Sequence, residues 1–154
     1  MKALAILAAV AIVAGAVSAS APRSAGCGAL LTLPPAARAG EWTLYGHISS
    51  LTRKGPRFEL RFDPAWWLTG VTASRAKLED TGSGDVANDY YIVDEGHRLL
   101  SYHVPATLRP TILTRGTCTT RTTVAALARS APAAGFWIRV RIDTVRSLDQ
   151  QYRP

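Results

Sequence analysis

The chain has few of the residues on which redox and metal chemistry depend. Of its 154 residues, two are cysteines, Cys27 and Cys118, and three are histidines. It contains no Cys-x-x-Cys motif and no His/Cys spacing of the kind that binds zinc. It also lacks the Gly-x-Ser-x-Gly elbow of the serine hydrolases and a phosphate-binding loop. We therefore expect no cofactor and no metal centre.

The chain also lacks an apolar run long enough for a membrane anchor. Lys2 precedes an uncharged, Ala-rich run over residues 3–17, shorter than the roughly 20 residues that span a bilayer. This pattern predicts a cleavable signal peptide over residues 1–19. Cleavage after Ala19 is favoured over Ala21, because the latter would leave Pro22 directly after the cut. We expect a secreted or extracytoplasmic protein with no transmembrane span after cleavage.

A lipid anchor is the alternative use of Cys27. Ser24-Ala25-Gly26 supplies small residues before this cysteine. However, Ser24 stands where lipidation favours a large aliphatic residue, and Pro22 and Arg23 separate the box from the apolar run. In an oxidising compartment a lone pair of cysteines usually forms one disulfide. We expect a Cys27–Cys118 bridge, worth about 4–5 kcal/mol by the chain-entropy model; two free thiols are the alternative.

Lysine is scarce although the chain is basic. Lys+Arg total 18 against 11 Asp+Glu, for a formal net charge of +7, and Lys2, Lys54 and Lys77 are the only lysines. Such a balance favours solubility and loose attraction to anionic cell-envelope polymers. Export argues against nucleic acid as the partner.

The mature part of the chain, about 135 residues, is enough for one domain and one core. Residues 20–41 are rich in Ala, Pro and Gly and predict an N-terminal arm, followed by a single β-rich domain over residues 42–154. Strands are expected at 42–53, 57–62, 90–93, 98–104, 111–115 and 136–142, with a returning strand favoured over a helix at 144–152. Short helices are expected at 65–68, 72–78 and 124–129, with Asp63, Thr72 and Thr123 as their caps and Gly70 ending the first.

This order of elements predicts an α+β fold. Short strands with small helices favour an antiparallel sheet or a partly open barrel, similar in architecture to an oligonucleotide-binding barrel. Such an architecture carries no functional weight, because it serves many functions.

Several phrases of the sequence resemble those of a known group of proteins. They are FDPAW at 62–66, NDYY at 88–91, DEGHRLL at 94–100 and QQY at 150–152. These phrases resemble exported, uncharacterised proteins found mostly in actinobacteria, and the likeness covers residues 42–154. The resemblance implies a shared fold, a signal peptide or lipid anchor, a strand-like C-terminal tail and no assigned activity.

The densest cluster of chemically active side chains is predicted at a turn. Asp94, Glu95 and His97 follow the predicted strand 90–93 and would meet at a hairpin tip. There they could act as an acid/base pair or a weak metal site. Asp and Gly also favour turns for local reasons, which makes a solvated turn the preferred interpretation.

Other candidates are weaker. A basic cluster at the first hairpin turn could touch anionic polymers, although a solvated tip explains it as well. Oxygen ligands near residue 85 lack the spacing of a calcium loop. The residues concerned are Arg53, Lys54 and Arg57 for the basic cluster; Asp85, Asn88 and Asp89 for calcium; His47 and His103 with Ser49 and Ser50 for a triad; and Trp66 and Trp67 for an aromatic ligand platform.

Taken together, the sequence favours a non-catalytic binding module of the envelope or medium. A small secreted hydrolase or metal-dependent enzyme using Asp94, Glu95 and His97 is the main alternative. Convergence of these three with Asp89, Tyr90 or His103 in a concave pocket would favour the enzyme. A secreted inhibitor is a third option, against which the lack of an evident rigid bait loop counts.

Overall fold

The structure is a computed structural model, and it describes residues 34–96, 98–114, 118–130 and 133–152. The elements are β1 (Trp42–Lys54), β2 (Arg57–Thr69), α1 (Gly70–Thr81), β3 (Tyr90–Val93), β4 (Leu100–Pro105), β5 (Thr111–Thr114), β6 (Cys118–Arg121), α2 (Val124–Ser130), β7 (Gly135–Arg141) and β8 (Thr144–Gln150). The predicted β-rich α+β class is confirmed.

One eight-stranded sheet contains every strand of the described residues. Its order is β3-β2-β1-β7-β8-β5-β6, and β4 pairs with both β2 and β8. Most pairings are antiparallel, but β8 also pairs in parallel with β4 at His103↔Thr144 and with β5 at Thr111↔Asp149. The sheet is therefore mixed, which corrects the expectation of a purely antiparallel one.

The first two strands form the hairpin that the sequence predicts. Alternation of Phe58, Leu60 and Phe62 with charged residues places these three side chains in the core. The turn between the strands lies at Gly55 and Pro56. A bulge at Ser49 shifts the register, since Ile48 pairs with Phe62 and Ser50 with Arg61.

The predicted helix at 65–68 is wrong, because β2 continues to Thr69. On one side of β2, Pro64 lies opposite Gly46 of β1. On the other side, β4 pairs with β2 up to Phe62 and β3 pairs with it from Trp66 onward, so Pro64 falls in the gap between them. A residue without an N–H is tolerated where no second neighbour requires it. Gly46 permits the close approach, since a Cβ there would lie 2.1 Å from the carbonyl oxygen of Asp63.

Helix α1 begins earlier than expected. Gly70, predicted to end a helix, instead opens α1 with a φ of +57° that glycine adopts easily. Thr69 is the N-cap residue and makes no side-chain cap hydrogen bond, while Thr72 Oγ1 donates to the Thr69 carbonyl at 3.0 Å. The helix ends at Gly82, whose N–H donates to the Leu78 carbonyl at 2.9 Å.

The expected hairpin around residues 94–97 is also wrong. Strand β3 pairs with the end of β2, from Trp66 to Thr69, and β4 pairs with its beginning. Both are antiparallel to β2, so they run in the same direction as each other. Strands β3 and β4 therefore do not pair with each other as the two arms of a hairpin.

The last third of the chain follows the predictions closely. Helix α2 is capped by Thr123, whose Oγ1 accepts from the Ala126 N–H at 3.1 Å, as expected. Strand β8 confirms the strand interpretation of the tail, pairing with β7 from Phe136↔Gln150 to Arg141↔Thr144. Strand β6 was not predicted.

Strand β7 is buried on both faces, and a hydrophobic cluster lies on each face of the sheet around it. One face packs the main core, with Leu60, Phe62 and Ile138 at its centre and α2 against it. The opposite face carries a second cluster of Tyr45, Ala65 and Trp137, against which Trp67 and Ile92 pack. Alternation along a strand explains the division, since Trp137 lies between the core residues Phe136 and Ile138.

Three expectations concern residues that the structure leaves out. The signal peptide and Cys27 lie outside the described residues, as does His97. Cys118 is half-buried at the start of β6, and its bridge to Cys27 stays a prediction. Within the described ranges no helix is long and apolar enough to cross a membrane.

Candidate functional site

Asp94 and Glu95 are exposed on the segment that passes β2 between β3 and β4. Of the predicted trio only these two belong to the described residues. Glu95 and Trp66 each line two cavities of the structure.

The smaller cavity, of about 260 Å³, is the aromatic pocket, defined by Tyr45, Pro64, Trp66, Trp67, Glu95 and Trp137. The Tyr45 ring lies edge-on to Trp67 at 5.0 Å and tilted against Trp137 at 5.1 Å between centroids. The Tyr90 ring stacks on Trp67 with 4.0 Å between centroids. Three of the chain's four tryptophans thus line one cavity.

Register explains why these rings meet. Tyr45 on β1 pairs with Ala65 on one side and with Trp137 on the other, so the three side chains share a face. Trp67 follows Ala65 by two residues and points to the same side. Gly135 leaves room for the Tyr45 ring, because a Cβ there would lie 1.9 Å from its hydroxyl oxygen.

Hydrogen bonds hold the floor of the pocket in place. Trp137 Nε1 donates to Gln151 Oε1 at 2.7 Å, and the Gln151 N–H donates to the Gly135 carbonyl at 2.9 Å. The indole N–H of a largely buried Trp137 is thereby satisfied. The pocket is consequently preformed, which reduces the ordering cost of binding.

The larger cavity, of about 560 Å³, is the acidic cleft, defined by Trp66, Glu79, Asp80, Tyr91, Asp94 and Glu95. It lies between α1 and the edge strand β3. The Tyr91 hydroxyl donates a hydrogen bond to Asp80, which raises the pKa of Tyr91 above its ordinary value. Desolvation and the charge of Asp80 act in the same direction.

Asp94 approaches a histidine from another strand. Oδ2 of Asp94 lies 3.8 Å from Nδ1 of His47 on β1. This is an ion-pair distance when the imidazole is protonated and is longer than a hydrogen bond. Their side chains are 39% and 31% exposed, so the pair stands at the surface beside the two cavities.

The remaining candidates from the sequence lie elsewhere. His103 faces Asp143 at 3.7 Å on the far part of β4, and Asp89 lines a small cavity near the start of α1. Tyr90 belongs to the aromatic cluster and not to the acidic cleft. Convergence of Asp94 with Asp89, Tyr90 or His103 in one concave pocket, the feature that would favour an enzyme, is therefore not found among the described residues.

The basic cluster stands where the sequence places it. Arg53, Lys54 and Arg57 are exposed at the β1–β2 tip. Arg53 Nε donates to the Gly55 carbonyl at 3.2 Å, and its guanidinium lies 5.9 Å from the centre of the Phe58 ring. Part of the positive charge of the tip is therefore engaged in contacts within the hairpin itself.

Within the ranges that the structure describes, no group of three or more His, Cys, Asp and Glu side chains is placed to hold a metal ion. Asp85 and Asp89 of the weak calcium candidate belong to these ranges, whereas His97 does not.

Sequence reasoning identified part of the aromatic pocket. Trp66 and Trp67 are the residues that the sequence names for an aromatic ligand platform; in the structure Trp66 is 70% exposed and Trp67 packs against the second cluster. Tyr45 and Trp137 were missed as site residues. The sequence feature that could have identified them is a large aromatic residue on the polar side of an alternating strand, where such a residue is unexpected.

Comparison with known proteins identifies no relative of the chain. No protein-family model matches the chain, and neither a curated protein nor a solved structure is significantly similar to it.

Proposed function

We propose that this chain is an exported, non-catalytic binding module and that the aromatic pocket holds a sugar ring of an extracytoplasmic glycan. The observation that carries the proposal is the gathering of Trp66, Trp67 and Trp137 with Tyr45 around one cavity. Export, the resemblance to exported actinobacterial proteins and a partly open barrel architecture belong to the same proposal. The barrel is supported by the pairing of β4 with both β2 and β8.

The chemistry of the pocket favours a ring with both apolar and hydroxyl-bearing surfaces. Aromatic faces stack on apolar C–H surfaces, and a few polar groups then fix orientation. Trp66 offers an exposed face at the rim, and the Glu95 carboxylate accepts hydrogen bonds from hydroxyl groups. The volume of about 260 Å³ lies just below the ~300–1,000 Å³ typical of sites for drug-sized ligands, which suits a single ring.

The composition of the lining supports binding and not catalysis. Among the described residues that line the aromatic pocket, none is a serine, cysteine or histidine, and Glu95 is the single carboxylate. Hydrolytic sites commonly use a pair of carboxylates or a nucleophile beside an imidazole, and the described lining of the pocket contains neither a second carboxylate nor a histidine.

Tryptophan fluorescence tests the proposal, because three of the four emitters line the pocket. The probes are soluble oligomers of N-acetylglucosamine, glucose and galacturonic acid. We expect at least one to change the emission in a saturable manner and Trp66→Ala to weaken its binding about tenfold, which corresponds to ~1.4 kcal/mol. The matched control is Trp42→Ala, which removes a partly exposed tryptophan outside the pocket. Equal binding by Trp66→Ala and the parent protein would contradict the proposal.

A hydrolase remains the second candidate, favoured by the contact between His47 and Asp94. A carboxylate that orients an imidazole can support general-base catalysis. This version replaces the predicted His97 with His47 as the partner of Asp94. It requires turnover of a chromogenic ester or glycoside that His47→Gln abolishes and His103→Gln preserves; turnover equal in both variants would exclude it.

A further inference from the structure

A third cavity of about 330 Å³ lies on the opposite part of the sheet, between the residues that precede β1 and strands β5, β6, β7 and β8. We name it the arginine cleft after Arg109, Arg121, Arg139 and Arg146, which line it together with Asp149. None of these residues lines the aromatic pocket or the acidic cleft. The inference drawn from it is therefore independent of the proposed function.

Strand pairing brings the cleft together. Thr111 of β5 pairs in parallel with Asp149 of β8 and antiparallel with Arg121 of β6, so three strands meet at one residue. Val140 and Arg139 of β7 pair with Val145 and Ser147 of β8. Arg146 lies between these two partners and is therefore the extra residue of a bulge in β8. Val145 is fully buried, and the bulge turns Arg146 outward, as bulges commonly do beside functional sites.

One arginine of the cleft is neutralised by the fold. Arg139 Nη1 lies 3.0 Å from Glu41 Oε2, and the two side chains are 17% and 9% exposed. Arg139 Nε also donates to Ser147 Oγ at 3.0 Å. Arg139 therefore forms a fixed wall and contributes little free charge to a ligand.

The other three guanidinium groups are not neutralised. Arg109, Arg121 and Arg146 are exposed, and none of them forms an ion pair or a side-chain hydrogen bond with a described residue. Asp149, which is 8% exposed, is the only carboxylate among the described residues that line the cleft. The cavity thus has an excess of positive charge directed at one space.

We propose that the arginine cleft binds a soluble ligand bearing several phosphate groups. Guanidinium groups present flat pairs of N–H donors that match phosphate oxygens and form strong charge-assisted hydrogen bonds. Three unpaired guanidinium groups around one cavity match a multiply charged ligand better than a single carboxylate. Low-dielectric walls also concentrate the field and raise the local concentration of anions.

Calorimetric titration with inorganic tripolyphosphate tests the proposal, with citrate as a carboxylate probe of similar charge. The variant Arg121→Gln/Arg146→Gln removes two of the three unpaired groups. We expect tripolyphosphate binding about a hundredfold weaker, since each charge-assisted contact is worth roughly tenfold. The thermal midpoint should stay unchanged, because both side chains are exposed.

The matched control is Arg53→Gln/Arg57→Gln, which removes the same charge from the hairpin tip. We expect this control to bind tripolyphosphate within twofold of the parent protein. Asp149→Asn removes the carboxylate from the cleft, and we expect severalfold tighter binding.

Four outcomes would overturn the proposal. Equal losses in the cleft and tip variants would mean diffuse attraction to a basic protein. Equal affinity for citrate would mean that the cleft recognises charge and not phosphate. Absence of saturable tripolyphosphate binding at physiological salt would exclude the site. Binding to phosphatidylglycerol vesicles that depends on Arg121 and Arg146 would assign the cleft to a membrane surface.

Discussion

The aromatic pocket and the arginine cleft differ in what their side chains do in the absence of a ligand. Tyr45 and Trp137 of the pocket are 3% and 7% exposed and form part of a hydrophobic cluster. Arg121 and Arg146 of the cleft are exposed and pack in neither hydrophobic cluster. The pocket is thus part of the folded interior, whereas most of the cleft is added to its surface.

This difference separates two kinds of binding site. Where the binding groups also hold the fold, a substitution lowers stability and binding together. Where they do not, binding changes while stability stays constant. The chain therefore allows the two effects to be measured on one molecule.

Charge distinguishes the regions as well. Four of the eleven acidic residues line the acidic cleft beside the pocket, without a lysine or arginine among the described lining residues. Four arginines line the arginine cleft. The net charge of +7 therefore does not describe the local charge. The acidic cleft is negative and the arginine cleft is positive, and each suits a ligand of opposite sign.

The largest expected effect is that of Gly135→Ala, which tests whether the pocket is structural. The new Cβ would lie 1.9–2.8 Å from the Tyr45 hydroxyl and ring atoms, so the ring must move and disturb Trp137. We expect a loss of about 3 kcal/mol in the free energy of unfolding, at the upper end of overpacking effects. Urea denaturation followed by tryptophan fluorescence measures it.

Gly84→Ala is the control for that substitution. Its nearest neighbour would be the Ser74 carbonyl oxygen at 3.2 Å, which a small shift relieves. We expect a change well below that of Gly135→Ala. Comparable losses would mean that backbone entropy, and not the Tyr45 contact, governs the effect.

The next effect concerns Arg139, the one arginine of the arginine cleft that is largely buried, as the pocket residues are. Glu41→Gln would leave its guanidinium without a charged partner in a largely buried position. We expect a loss of about 2 kcal/mol in the free energy of unfolding, less than for a fully buried pair. Arg146→Gln, the exposed counterpart, should leave stability unchanged. If both variants were equally stable, Arg139 would not differ in its structural role from the exposed arginines of the cleft.

The sequence predicted those elements that are specified by a local pattern, either an alternation of side chains along a strand or a capping residue at the start of a helix. Strand β7 and helix α2 are examples, because the alternation around Ile138 and the cap at Thr123 are local features. The predicted helix after Asp63-Pro64 failed for the opposite reason. Its local pattern favours a helix start, but pairing with β1 and β3 keeps the backbone extended, and tertiary pairing overrides propensity.

The candidate sites show the same limit. Asp94 and Glu95 were identified from composition, but the partner of Asp94 is His47, which lies 47 positions earlier and is placed there only by the sheet. The arginine cleft was not predicted at all. Its members come from four separate segments, which are brought together by the pairing of β7 with β8 and of β5 with both β6 and β8.

A smaller effect on the pocket is expected from Gln151→Ala. It removes the acceptor of the Trp137 indole N–H, which is 2.7 Å away, and an unsatisfied buried donor costs about 1 kcal/mol or more. We expect a loss of about 1 kcal/mol in the free energy of unfolding together with a shift in tryptophan emission. Gln150→Ala is the neighbouring control, since its side chain accepts instead from the Leu113 N–H. An emission shift in the control alone would place Trp137 in a different environment from the one described.

The smallest effect is a change in titration without a measurable change in stability, and it tests the charge beside the pocket. The hydrogen bond to Asp80 raises the pKa of Tyr91, so the protonated phenol is favoured in the folded state. Its contribution is present below the unfolded-state pKa of about 10 and is lost as the pH rises through the higher folded-state value. Asp80→Ala should lower the pKa of Tyr91, as followed by NMR of ring-labelled tyrosines. Tyr102, whose pKa is raised by burial on β4, should titrate as before. An unchanged pKa of Tyr91 would contradict the assignment to Asp80 and would leave desolvation as the cause of the shift.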